Sequence, residues 1–87
     1  MNPLTPTQER IAAVCDGLAE FLIEKNRRYG DSATNPVRVF SSASPREQLL
    51  VRIDDKLSRL ARGDQVDEDV VLVLLGYLVL LRVVDGE

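Results

Sequence analysis

The chain has 87 residues, 45% of them hydrophobic and 29% charged, with five Gly and four Pro; that balance excludes a disordered, collagenous or low-complexity sequence and gives one small domain, 1–87. It has no histidine and a single cysteine, Cys15, which removes His-based general-base catalysis, His-ligated metals, Ser-His and Cys-His dyads, zinc clusters and intramolecular disulfides. With 11 basic against 14 acidic residues the net charge is −3, so neither a nucleic acid polymer nor an anionic membrane is an expected partner, while a small anion is still open.

Two helix starts use the same device. Thr5-Pro6-Thr7-Gln8 and Ser44-Pro45-Arg46-Glu47 each set a hydroxyl at the cap, proline at the first helical position and Gln or Glu three residues after the cap. After the first start, Ile11, Val14, Cys15, Leu18, Phe21 and Leu22 recur at helical spacing as one apolar stripe. The first helix is therefore expected over about 6–29, stopping at Gly30 in the left-handed conformation, with Cys15 a small core residue. Residues 30–43 are rich in helix breakers yet contain Val37, Val39 and Phe40, which argues for a packed loop.

The second helix is expected over about 45–62, with Leu49, Leu50, Ile53, Leu57, Leu60 and Ala61 on one side and Gly63 as its stop. Asp64, Asp67, Glu68 and Asp69 then precede the third segment, where the positive end of a helix dipole favours negative charge. That third helix, about 68–84, is apolar around its whole circumference; its Val-rich composition also suits a strand, but its length favours a helix. Two helices cannot enclose a third completely, so part of it is expected to pack against another subunit. Small size points the same way, because a chain this short buries only about 60–65% of its unfolded surface. The uncharged apolar run from Val70 to Leu81 is too short for a bilayer, which takes about 20 residues. The first residues show no signal-peptide pattern, and with one cysteine the expected location is the cytoplasm.

At about 100° per residue, Glu9, Asp16, Glu20 and Glu24 lie opposite the stripe of the first helix, whereas Lys25, Asn26 and Tyr29 lie on or beside it. An ammonium, an amide and a phenol at an inward-turned helix end, next to the Gly30-Asp31-Ser32 turn, could hold a phosphate or a base edge. The same residues also read as a snorkelling lysine, a capping amide and a packed tyrosine. On the second helix Arg52, Asp55, Lys56 and Arg59 share an arc, either as an exposed ion-pair ladder or, for Arg52 and Lys56 nearest the apolar edge, as first contacts for a phosphate. Asp54, Asp55, Glu68 and Asp69 could bind Mg²⁺ through oxygen, although capping and dipole complementation explain the acids before the third helix more simply.

The blocks Lys25-Asn26-Arg27-Arg28-Tyr29-Gly30-Asp31-Ser32, Val51-Arg52-Ile53-Asp54-Asp55-Lys56-Leu57-Ser58-Arg59-Leu60 and Glu68-Asp69-Val70-Val71-Leu72-Val73-Leu74-Leu75-Gly76-Tyr77 resemble, in that order, the nucleotide modification associated domain family common in phages. With their connections they span about residues 18–82. The resemblance implies a compact α-helical domain that handles modified or free nucleotides, in a host cytoplasm where phage-encoded. More distantly, the chain is similar to the MazG-type all-α nucleoside triphosphate pyrophosphatases, oligomeric bundles whose Mg²⁺ is held by helix-borne carboxylates. The family usually carries an aspartate four residues before the Tyr of the Gly-Tyr pair, where this chain has Val73, and an acid before the first Tyr-Gly, where it has Arg28. Both differences remove negative charge from the places a metal would use.

The expectation is thus an all-α, three-helix protomer with a long connection between its first two helices, completing a helical bundle by oligomerisation. It binds a small phosphorylated nucleotide through Lys25, Asn26, Tyr29, Asp31, Arg52, Asp55, Lys56 and Arg59, with Tyr29 or Phe40 stacking on the base, without catalysis and without a cofactor. Self-association runs through the third helix. The alternatives are a Mg²⁺-dependent pyrophosphatase using Asp54, Asp55, Glu68 or Asp69, and a structural module that docks to another protein.

Overall fold

The computed structural model describes residues 3–63 and 68–86. Three helices follow in order: α1, Pro6–Tyr29; α2, Pro45–Arg62; and α3, Val70–Val84. No strand occurs among the described residues, so the class is all-α. The chain forms two compact units, Met1–Gly30 and Asp31–Glu87.

In the first unit, Thr5 caps α1 with a complete capping box. The Gln8 amide donates to Thr5 Oγ1 at 3.1 Å, and the Thr5 amide donates to Gln8 Oε1 at 3.0 Å, so two otherwise orphaned N–H groups are satisfied reciprocally. The helix stops at Gly30, whose φ of 65° with ψ of −155° lies outside the left-handed helical basin expected of it and in a region open essentially to glycine. Its N–H still closes the last turn onto the Asn26 carbonyl at 2.7 Å. No residue of α1 is buried. Leu18, Phe21 and Leu22 are half-buried, while Ile11 and Val14 stay 58% and 63% exposed. Cys15, expected in a core, is exposed as well: a single helix has no second surface to enclose its stripe.

The second unit is built on α2 and α3, which run antiparallel. Near the start of α2, Arg46 Nε donates to Asp85 Oδ1 at the end of α3 at 3.0 Å, and in its fourth turn Lys56 Nζ donates to Glu68 Oε1, just before α3, at 2.6 Å. Between these ties the core closes on Leu49 and Val70, both 0% exposed, with Ile53 and Gly76 also buried. Ser44 caps α2 by accepting from the Glu47 amide at 3.1 Å, and Asp69 caps α3 by accepting from the Leu72 amide at 3.0 Å. Of the acidic run before α3, Asp69 acts as the expected cap; Asp64 and Asp67 lie outside the described residues. The α2 stop at Gly63 is left-handed as expected, with φ 72° and ψ 24°.

Two expectations about apolar residues change. Val37, Val39 and Phe40 do not pack: all three are exposed, and Phe40 completely so. The following residues are the ones tied down, through Gln48 Nε2 donating to the Ala43 carbonyl and the Ala43 amide donating to Ser41 Oγ, which leaves the apolar triplet ahead of any anchoring contact. The α2 stripe is buried at Leu49 and Ile53, but Leu57 is 48% exposed. α3 is a helix, not a strand, and it keeps Val71, Leu75, Leu78, Val79 and Val83 exposed. Among the described residues no helix is long and apolar enough to cross a membrane.

Candidate functional site

Arg52, Lys56 and Arg59 stand at i, i+4 and i+7 of α2, which puts their Cα–Cβ directions within about 60° of one another. The antiparallel register then decides what each meets. The Arg52 guanidinium lies over the Tyr77 ring of α3, 6.0 Å from its centroid, a contact worth about 0.5–1 kcal/mol at an exposed site. Lys56 is the most enclosed of the three, its side chain 12% exposed. Its ammonium sits 2.6 Å from Glu68 Oε1 and 3.8 Å from Asp55 Oδ2. Arg59 completes the group, 3.3 Å from Asp55 Oδ2 and 3.6 Å from Glu68 Oε1. Two cations and two carboxylates thus interlock, so Lys56 and Arg59 are held in place by charge on either side.

This arrangement is more than the exposed ladder along one helix that spacing suggests. Asp55 and Arg59 form the i,i+4 pair as expected, but Glu68 joins from the far side of the α2–α3 connection and turns the ladder into a bridge between helices. Spacing alone marks Glu68 only as a dipole or metal residue and gives Arg52 no aromatic partner. The available signal was the basic end of α2 followed closely by an acidic run. Once an antiparallel turn is granted, that sequence pairs Lys56 with Glu68 and sets Arg52 beside Tyr77.

The other candidates belong to the α1 unit and its exit. Lys25 Nζ lies 5.1 Å from the Phe21 ring centroid, one turn back along the stripe, and the Arg28 guanidinium lies 5.8 Å from the Tyr29 ring. Asn26 Nδ2 donates to the Gly30 carbonyl at 3.3 Å, so its amide spans the end of the helix in the capping role. The inward turn expected of this helix end is not met within the α1 unit, where Lys25, Asn26 and Tyr29 are all exposed. Glu20 and Glu24 are exposed too, and Glu24 lies 3.6 Å from Arg27. The Asp31 backbone carbonyl accepts from Thr34 and Asn35, at 3.1 and 2.6 Å, and so organises the turn after Gly30.

The carboxylates considered for Mg²⁺ are differently engaged. Asp55 and Glu68 face Lys56 and Arg59, Asp69 caps α3, and Asp54 is exposed on α2. Among the described residues no three Asp, Glu, Cys or His side chains converge on a point where they could hold a metal ion. A divalent ion at Asp55 and Glu68 would have to displace two cations already seated there. No family model, curated protein or solved structure matches the chain.

Proposed function

We propose that this protein binds a small phosphorylated nucleotide and does not cleave it, with the phosphate taken by the α2 face that carries Arg52, Lys56 and Arg59. The observation behind this reading is that row of three cations: Arg52 exposed over Tyr77, Arg59 43% exposed, and Lys56 behind them, fixed by Glu68. Guanidinium groups offer paired donors matched to phosphate oxygens, and Asp55 orients one of them. Lys56, already held by Glu68, does not have to be ordered on binding. The exposed aromatic Phe40 would stack on the base. Lys25, Asn26 and Tyr29, on α1, offer an ammonium, an amide and a phenol as further donors.

The resemblance to the phage nucleotide modification associated domains supplies the substrate class, and with it a role in base modification or in sequestering a signalling nucleotide of the host cytoplasm. Self-association through α3 belongs to the same reading. Hydrolysis is the weaker alternative because Asp55 and Glu68 are spent on cations. The exposed apolar face of α3 favours a second reading, a purely structural interaction module.

Calorimetric titration with a panel of linear and cyclic nucleotides separates these readings. Saturable heat without release of pyrophosphate or phosphate supports the binder. Pyrophosphate released from a triphosphate in Mg²⁺ and lost in Asp55→Asn supports the enzyme. No heat across the panel, from a chain that stays a sticky monomer in light scattering, leaves the interaction module.

A further inference from the structure

The place on the α2 face where an anion would sit is already filled by the chain itself. Glu68 Oε1 lies 2.6 Å from Lys56 Nζ and 3.6 Å from Arg59 Nη1, so a single carboxylate oxygen bridges two of the three cations. A phosphate oxygen would bridge them by the same charge-assisted contacts. Asp55 reaches the same pair from within α2, 3.8 Å from Lys56 and 3.3 Å from Arg59. Glu68 comes from a different segment, directly before Asp69, the cap of α3, and its side chain is 31% exposed against 12% for Lys56. The carboxylate can therefore turn out to water, whereas the ammonium is enclosed. Arg52 pairs with no carboxylate among the described residues.

We propose that Glu68 competes with the ligand's phosphate for Lys56 and Arg59. An incoming phosphate meets Arg52 first, because that guanidinium has no carboxylate to give up, and then takes over the bridge as Glu68 turns to water. The exchange leaves Lys56 paired throughout, so no enclosed charge is stranded on the way. It also breaks the ion pair that ties α2 to the residue before Asp69. The ligand therefore gains only the difference between its phosphate and the carboxylate it replaces, and the same Glu68 that orders Lys56 sets how strongly an anion must bind to be held.

This inference rests on the phosphate reading of the α2 face and names what regulates it. The test is calorimetric titration of the full chain and of Glu68→Gln with AMP, GMP, ATP and cyclic AMP as probes. Glutamine keeps the side-chain length and an oxygen for Lys56 while removing the charge, so the fold is retained. The control is Asp54→Asn, which removes one charge from an exposed position about 160° around α2 from Lys56. The expected result is binding tightened at least fivefold by Glu68→Gln and changed less than twofold by Asp54→Asn. Glu68→Asp, which draws the same charge back by one methylene, should tighten it about twofold, and it decides the matter if circular dichroism shows lost helicity in Glu68→Gln. Binding that Glu68→Gln leaves unchanged or weakens makes Glu68 a support of Lys56 only. An equal gain from Asp54→Asn makes the effect one of general charge. Either result overturns the competition and lets the phosphate reading stand, whereas no saturable binding by the unmodified chain or by the Glu68 variants overturns both.

Discussion

Lys56 of α2 and Glu68 ahead of α3 are joined by a 2.6 Å bond from ammonium to carboxylate, with the lysine side chain only 12% exposed. The pair closes one end of the α2–α3 hairpin, as Arg46 and Asp85 close the other at 3.0 Å. Enclosure makes the two ties unequal. Lys56→Met leaves Glu68 without its nearest cation and should cost about 1–2 kcal/mol, whereas Arg46→Ala, at a more exposed pair, should cost under about 1 kcal/mol. Urea unfolding of the two variants measures the difference, and equal midpoints would show that enclosure does not matter here.

Leu49 is fully enclosed in the hairpin, at 0% exposure. Leu49→Ala should lower stability by about 2–4 kcal/mol, through lost burial and a residual cavity. The control is Phe40→Ser in the exposed stretch before α2, which should shift stability by less than about 0.5 kcal/mol. Thermal unfolding of the pair checks both; a large loss from Phe40→Ser would mean that the apolar triplet is packed after all.

Gly63 ends α2 with φ at 72°, and a Cβ built there meets nothing within 4 Å. The cost of Gly63→Ala therefore comes from backbone conformation alone and should be about 1 kcal/mol. Gly63→Asn should recover part of it, because asparagine tolerates the left-handed region better. Chemical denaturation of the two variants side by side tests the order.

The local grammar of this chain was legible from its residues. Thr5, Ser44 and the two prolines marked the helix starts, and Gly30 and Gly63 their ends, because caps and stops act within a few residues. The chemistry of Asp69 as a cap could be read for the same reason. What could not be read were the consequences of partnership. Cys15 and the Ile11–Val14 stripe look like core at helical spacing, yet periodicity says only that a face is apolar, not that something covers it. Val37, Val39 and Phe40 misled in the same way. On the site, spacing placed Arg52, Lys56 and Arg59 on one arc, but Glu68 and Tyr77 joined them only through the antiparallel turn, a contact between segments that no single-helix pattern encodes.

Of the α2 cations proposed to hold a phosphate, Arg52 is the member whose loss leaves the hairpin's ion pairs intact. The most direct measurement is the equilibrium affinity of the tightest-binding nucleotide for the unmodified chain and for Arg52→Ala, with circular dichroism confirming equal helicity. Binding weakened about tenfold or more by Arg52→Ala, and falling with added salt, is the expected result. Binding that Arg52→Ala leaves unchanged, or no saturable binding by the unmodified chain, would contradict it.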